Sequence, residues 1–120
     1  MKLAASFVFA AVIAAPGVHA ESADAVRGGW QADAGGVRHL YMLTIRGTAI
    51  TGTYCTDCSN VDDLAFIQNG VLAADGLRFE VYNPGPKPYT DTVQARLVDG
   101  ELRITRQRNG SSAEIGRAHV

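Results

Sequence analysis

The chain has 120 residues, a formal net charge of −1, 47% hydrophobic residues and 19% charged residues. This length accommodates one small domain, and the charge balance excludes a strongly basic nucleic-acid-binding protein. The hydrophobic fraction is that of a globular chain and excludes an acidic disordered one.

The first 20 residues have the pattern of a secretory signal peptide. Lys2 precedes an apolar run over residues 3–15, and Ala20 is the small residue after which we place cleavage. The run is shorter than the roughly 20 apolar residues that cross a membrane. We therefore expect a periplasmic or secreted protein without membrane contact after cleavage, with an uncleaved N-terminal anchor as the alternative.

Residues 21–113 are predicted to form one all-β domain. Short runs of alternating apolar and polar residues are separated by turn signals about every ten residues. The turn signals are Gly35-Gly36, Arg46-Gly47-Thr48, Asn69-Gly70, Asp75-Gly76, Asn83-Pro84-Gly85-Pro86, Asp99-Gly100 and Asn109-Gly110. The pattern predicts about seven or eight antiparallel strands in a meander, forming a small barrel or sandwich. Only residues 22–26 and 59–64 leave room for a turn of helix.

The strand predicted over Val37–Arg46 carries His39, the only histidine of residues 21–113. His39 shares a face with Tyr41, but a one-residue slip in register exchanges the two faces, so the pattern leaves the inward face open. On an inward face His39 would contact a ligand or act as a buried base. The alternative is a hydrogen-bonded histidine of the core or rim.

Cys55 and Cys58 form a C-x-x-C pattern in the loop after a predicted strand. In an exported protein two neighbouring cysteines usually form a structural disulfide, and we predict one here. A redox-active pair would need a helix after it, for which residues 59–63 leave little room. A zinc site would need His39 and a carboxylate as further ligands. We predict no metal and no cofactor.

The acidic residues near this loop offer a calcium site as a second alternative. Asp57, Asp62 and Asp63 lie with Asn60 between two predicted strands, but their spacing differs from that of a regular calcium loop. We interpret them as solvated turn carboxylates, with Asp62 as a candidate N-cap.

Four side chains are predicted to lie nearest the opening of the domain and to bind a ligand. They are Tyr54, His39, Tyr82 and Tyr89. Aromatic side chains also pack in cores and rims, which is the alternative for the tyrosines. Arg106 and Arg108 continue the face of Leu102 and Ile104, and we interpret their charges as protecting a sheet edge or barrel mouth, with anion binding as the alternative. We predict no catalytic residue, because no catalytic motif is present.

Two short motifs resemble those of calycin barrels, the group of lipocalins, fatty-acid-binding proteins and avidins. Gly28-Gly29-Trp30 resembles the G-x-W start of the first strand, and Gly52-Thr53-Tyr54 resembles the G-T-Y hairpin of avidins. The resemblance implies that Trp30 packs at a closed end and that Tyr54 faces a ligand. This sequence has one tryptophan where avidin pockets have several, so the resemblance does not imply biotin. The strand–CxxC–loop–strand order is also similar to that of small exported bacterial β-proteins, which implies a fold and no activity.

These observations predict an exported, non-enzymatic β-domain that binds a small apolar or carbohydrate-like ligand and no nucleic acid. The first alternative is an accessory N-terminal domain of a larger exported enzyme, because the polar residues 109–113 could begin a linker. The second is a thiol or redox protein that uses the C-x-x-C loop.

The last seven residues, 114–120, are interpreted as a sequencing-adaptor artefact. Glu-Ile-Gly-Arg-Ala-His-Val can be back-translated as GAGATCGGAAGAGCACACGTC, which contains the start of a common short-read adaptor. Such a segment is excluded from fold reasoning.

We expect an independent long read of the source DNA to diverge from this sequence after codon 113. A short continuation would complete one domain, whereas a long frame with its own catalytic motif would favour the accessory-domain alternative. A frame that ends after Val120 with the same seven codons would show that the tail belongs to the protein.

Overall fold

The computed structural model describes residues 22–120, so the predicted signal peptide at residues 1–20 lies outside the described residues. A short helix, α1 (Ser22–Val26), precedes eight strands. The strands are β1 (Gly28–Ala34), β2 (Val37–Arg46), β3 (Ala49–Cys55), β4 (Ala65–Ala73), β5 (Gly76–Asn83), β6 (Tyr89–Val98), β7 (Glu101–Arg108) and β8 (Ser111–Ala118). A 3₁₀ turn (Val61–Asp63) interrupts the loop between β3 and β4. The predicted all-β fold and both predicted helical turns are confirmed.

The eight strands form one antiparallel sheet in which each strand pairs with its neighbours in chain order. The sheet curls into a nearly closed barrel. Beyond the end of β8, the backbones of Gln31 and His119 exchange hydrogen bonds of 2.9 and 3.0 Å and bring β1 alongside β8. The predicted meander is therefore a barrel-like sheet rather than two packed sheets. β8 runs into residues 114–120, whose origin stays a prediction that the DNA tests.

The strand β2 shows which face of each strand is inward. His39, Tyr41, Leu43 and Ile45 are buried, while the residues between them are exposed or half-buried. Because side chains alternate along a strand, the same period places every second residue of the other strands inside the barrel. The inward face of β2, which the sequence pattern does not determine, is therefore the face that carries His39.

One end of the barrel is closed by α1 and the tryptophan that follows it. The Nε1 of Trp30 donates a 2.7 Å hydrogen bond to the carbonyl oxygen of Val26. Trp30 and Val26 are 2% and 1% exposed. Arg27 then donates to the carbonyl oxygen of Ile45, near the end of β2, at 3.3 Å. These contacts fix the helix against the barrel, and we call this end the closed end.

The Asn69-Gly70 pair does not form the predicted hairpin turn. It lies within β4, where the register with β5 shifts between Gln68 and Val71. Asn69 adopts a φ of 52°, and its side chain donates a 3.0 Å hydrogen bond to Glu80. At Gly70, a Cβ atom would lie 2.6 Å from the Cβ of Ile50, so glycine allows the close approach of β3. The prediction is wrong because the same residue types also suit a β-bulge.

Within residues 22–120, no helix combines the length and the apolar character needed to cross a membrane.

Replacing Trp30 with Phe should lower the free energy of unfolding by about 2 kcal/mol, because it removes the bond to Val26 and leaves a cavity. Urea unfolding followed by circular dichroism measures the change. The control is Phe66→Leu on the outer face, where Phe66 is 45% exposed and the change should stay within about 0.5 kcal/mol. Equal losses in the two variants would contradict the assigned role of Trp30.

Candidate functional site

The end of the barrel opposite α1, here called the open end, contains a cavity of about 410 Å³. Three of the four predicted ligand-binding residues line it: His39, Tyr54 and Tyr89. Arg106 and Arg108 line the same cavity. These side chains come from four different strands, and the meander brings them together because each lies on an inward face near the open end.

Tyr82, the fourth predicted residue, does not lie at the opening. In β5, Val81 and Asn83 are buried, so Tyr82 between them points to the outer face of the barrel. It is 37% exposed and lies opposite Phe66 of β4, which is also exposed. Tyr82 is therefore an outer-face residue, whereas Tyr89 at the start of β6 contributes to the cavity.

His39 and Tyr54 form a buried hydrogen-bonded pair. The Nδ1 of His39 lies 2.7 Å from the hydroxyl oxygen of Tyr54, and the two rings are stacked with centroids 6.0 Å apart. Either the hydroxyl donates to an unprotonated Nδ1 or a protonated Nδ1 donates to the hydroxyl. Tyr41 lies against Tyr54 with ring centroids 4.7 Å apart. The stack joins the cavity to the core.

Both members of this pair are held in their neutral forms near pH 7. Burial lowers the pKa of His39 below its ordinary value of 6.5, and the positive charge of Arg106 lowers it further. The negative charge of Asp33 acts in the opposite direction, and the positive charge of Arg108 adds a smaller lowering. Burial raises the pKa of Tyr54 to about 12. A neutral imidazole and a neutral phenol present hydrogen-bond donors and acceptors rather than charges.

Two arginines, Arg106 and Arg108, and two acidic residues, Asp63 and Glu114, line the cavity, and a buried ion pair holds one of the arginines. The carboxylate of Asp91, whose side chain is 1% exposed, accepts two hydrogen bonds from Arg108, at 2.6 Å from Nε and 2.9 Å from a terminal nitrogen. The hydrogen bond to Asp91 raises the pKa of Arg108. The guanidinium carbon of Arg108 also lies 3.7 Å from the ring centroid of Tyr89, which is a cation–π contact. Arg108 is therefore held in place by Asp91 and Tyr89, with 33% of its side chain exposed.

Arg106 differs from Arg108. Both lie on the inward face of β7, and Arg106 is half-buried. In the part of the chain that the structure describes, no carboxylate lies within 4.0 Å of the Arg106 guanidinium. Its charge nevertheless acts on His39, because it lowers the pKa of that residue. Arg106 is thus a cation in the cavity that the protein does not neutralise by a direct ion pair.

A short loop with many hydrogen bonds forms one side of the rim. Cys55 and Cys58 lie at disulfide distance, with Cα atoms 5.2 Å apart. One oxygen of Asp63 accepts hydrogen bonds from the backbone nitrogens of Thr56 (2.7 Å) and Asp57 (2.6 Å), and from the Thr56 hydroxyl (2.9 Å). Although desolvation opposes it, these bonds lower the pKa of Asp63. The loop is therefore held in one shape beside the cavity.

The acidic residues of this loop are used by its own backbone. Asp63 accepts the bonds just described, and the N-cap of the 3₁₀ turn is Asn60, whose side chain accepts from the backbone nitrogen of Asp62. The expectation that Asp62 is the N-cap is wrong by two residues. Among the described residues, no three His, Cys, Asp or Glu side chains are grouped closely enough to hold a metal ion.

A second contact fixes the loop against the end of β5. The side-chain nitrogen of Asn83 donates to the carbonyl oxygen of Asp62 at 3.1 Å, and its side-chain oxygen accepts from the backbone nitrogen of Gly85 at 2.6 Å. The Pro-rich loop after β5 and the cysteine loop are therefore joined through one buried amide.

No protein-family profile, curated protein or solved structure matches the chain.

Asp91 is the site residue that sequence reasoning missed. It lies two residues before Val93 and four before Ala95, on the same inward face. A charged residue that continues an apolar face was the available signal, and the same signal marked Arg106 and Arg108. The pairing of Asp91 with Arg108 required the register of β6 against β7, which places the two residues directly opposite each other.

The pH dependence of stability should report the burial of His39. Because the pKa of His39 is lower in the folded protein, the unfolded chain takes up the proton first as the pH falls through 6.5. The free energy of unfolding then decreases, by at most about 1.4 kcal/mol per pH unit for one proton.

Urea unfolding of the protein and of His39→Asn between pH 7.5 and 5.5 measures this effect. The asparagine side chain keeps a hydrogen-bonding group near Tyr54 and removes the titration. We expect the variant to lose less stability than the wild type across this window, which lies above the ordinary pKa of the carboxylates. Parallel curves would show that His39 is not the titrating group.

Proposed function

We propose that this protein is an exported, non-enzymatic binding protein whose ligand is a small carbohydrate-like molecule with one acidic group. The proposed binding site is the cavity at the open end of the barrel. Its volume of about 410 Å³ lies within the range of small-molecule sites, roughly 300–1,000 Å³. The signal-peptide pattern of residues 1–20 supports export.

The lining of the cavity favours a carbohydrate-like ligand over an apolar one. His39, Thr56 and Tyr54 offer neutral hydrogen-bonding groups, while the rings of Tyr54 and Tyr89 offer apolar surface. A sugar ring needs both, because its hydroxyl groups require donors and acceptors and its C–H groups pack on aromatic rings. A purely apolar ligand would remove water from the guanidinium of Arg106, which has no direct ion pair among the described residues, without giving it a polar partner.

The unpaired guanidinium of Arg106 is the observation that supports an acidic group on the ligand. It lines the same cavity as Tyr89 and His39, and a carboxylate can accept two parallel hydrogen bonds from it. Arg108 is held by Asp91 and Tyr89 and so supplies positive charge without moving. The neutral state of His39 keeps that residue available as a hydrogen-bonding group.

D-glucuronate and D-glucose provide a matched pair of probes, because they differ by the carboxylate. In ¹H–¹⁵N NMR titrations at pH 7.5, we expect glucuronate to shift the backbone signals of residues at the open end and to bind more tightly than glucose. Arg106→Gln should weaken glucuronate binding about tenfold, the value of one charge-assisted contact, and should leave glucose binding unchanged.

The control variant is Arg38→Gln, which removes an equal charge from the outer face, where Arg38 is exposed and 3.9 Å from Asp33. We expect it to bind glucuronate like the wild type. If neither sugar shifts signals at the open end, the proposal fails. If Arg106→Gln and Arg38→Gln weaken glucuronate equally, the effect is general charge and the assigned role of Arg106 fails.

A further inference from the structure

The outer face of β5, β6 and β7 carries a second concave region, near the closed end. It is an open groove of about 350 Å³. Six of its charged and polar lining residues define what we call the arginine groove: Asp75, Arg78, Gln94, Arg96, Arg103 and Thr105. It lies on the outer face of the barrel, whereas Ile104, between Arg103 and Thr105, points inward and is fully buried. Glu114 of β8 lines both this groove and the open-end cavity.

The groove brings like charges together. Arg96 of β6 lies directly opposite Arg103 of β7 in the strand register. Arg78 of β5 lies opposite Gln94, two residues from Arg96 on the same face of the sheet. Like charges directly opposite one another on neighbouring strands destabilise a sheet. This arrangement therefore costs folding free energy unless an anion offsets it.

The protein does not supply that anion by direct pairing. Within residues 22–120, the structure shows no carboxylate within 4.0 Å of the guanidinium groups of Arg78, Arg96 or Arg103. Asp75 and Glu114 line the groove at longer range, so three cations are offset in part by two anions. Glu114 belongs to the segment interpreted as adaptor-encoded, and without it Asp75 would be the one acidic residue among the described residues of the groove lining.

One nitrogen of Arg103 also lacks an acceptor within the described part of the protein. Its Nε is the one buried side-chain nitrogen or oxygen, among the residues described, that has no hydrogen-bond partner. Buried donors without partners are rare in folded proteins, and each one requires an explanation. A bound anion that draws the Arg103 side chain toward the groove would supply the missing acceptor.

Gly76 forms part of the floor of the groove. It has a φ of 140°, and a Cβ atom there would lie 2.9 Å from the Cγ of Arg96 and would overlap the carbonyl oxygen of Ala95. A glycine at this position lets the stem of Arg96 lie close to the turn before β5. The position of Arg96 thus depends on the backbone as well as on its own side chain.

We propose that the arginine groove binds a phosphate group. The planar guanidinium fork matches phosphate oxygens better than a point charge does, and two such forks on neighbouring strands can bind one group together. The side-chain amide of Gln94 and the hydroxyl of Thr105 add neutral donors within the same groove. The phosphate is carried either by a small soluble molecule or by a lipid headgroup, and the two sources share this chemistry.

The first experiment is a titration of the full chain with inorganic phosphate at constant ionic strength. The arginine Nε–H signals are followed in ¹H–¹⁵N NMR spectra. We expect saturable shifts of the Arg96 and Arg103 signals. Arg96→Gln should weaken binding about tenfold, which corresponds to one charge-assisted contact. Arg78→Gln provides a second variant in the same groove.

Arg46→Gln is the matched control. Arg46 is an exposed arginine of β2, a strand that is not paired with β5, β6 or β7. Its removal changes the net charge equally, and we expect unchanged phosphate binding. Both glutamine substitutions in the groove affect outward-facing side chains, so a spectrum with native dispersion verifies the fold before each titration.

The second experiment separates the two sources of phosphate. Vesicles of phosphatidylglycerol in phosphatidylcholine are compared with pure phosphatidylcholine vesicles in a flotation assay. Binding to the anionic vesicles that Arg96→Gln abolishes supports a lipid headgroup, and saturable shifts with free phosphate alone support a small soluble molecule. The proposal is overturned if neither arm shows binding, or if Arg46→Gln reduces binding as much as Arg96→Gln.

Discussion

The buried carboxylate of Asp91 is the group on which the open end of the barrel depends. An ionised carboxylate with 1% of its side chain exposed is stable only with a partner that satisfies both oxygens. Arg108 lies directly opposite on β7 and donates to both. The same guanidinium covers one face of Tyr89, which lies two residues before Asp91. One ion pair therefore fixes a cation and an aromatic wall together, and it leaves the neighbouring Arg106 as the cation without a direct partner.

The two ends of the barrel are built from different chemistry. An eight-stranded barrel has an interior that side chains can just fill. Toward α1 this space is filled by Trp30 and aliphatic side chains, which form a continuous apolar core. Toward the open end the inward positions change to His39, Tyr54 and the arginines of β7, whose polar groups need partners and leave room for a ligand. The cavity thus lies where the apolar core ends and the inward side chains become polar.

The rim is held in shape before any ligand arrives. The cysteine pair closes a loop of only a few residues, so it adds little chain entropy, and its effect is on the shape of the loop. Asp63 accepts hydrogen bonds from the backbone within this loop, and Asn83 joins the loop to the end of β5. A site whose walls are already ordered loses less conformational entropy on binding. The cavity lining includes Thr56, which lies between the two cysteines in the loop, and neither cysteine itself.

The sequence predicted the strands well because alternation and turn residues are local signals. The sequence predicts His39, Tyr54 and Tyr89 near the opening, where the cavity is. It groups Tyr82 with them, because a tyrosine alone does not indicate which face of its strand it occupies. The alternation of β5 does indicate it, because Phe79 and Val81 are buried and Tyr82 therefore lies on the opposite face. Asn69-Gly70 shows that a local turn signal can also be misleading. The same two residue types form a turn or a β-bulge, depending on how the adjacent strand pairs. Pairings such as Asp91 with Arg108 depend on register, which no local pattern contains.

Strand β7 shows how much depends on that register. Arg103 and Thr105 point outward to the arginine groove, while Arg106 and Arg108 point inward to the cavity. A slip of one residue would exchange the two sets, placing Arg103 inside and removing the partner of Asp91. Leu102 and Ile104, 1% and 0% exposed, oppose this slip because it would expose both of them and bury charge in their place. The two proposed binding sites on opposite faces of one strand are therefore kept apart by the burial of two aliphatic side chains.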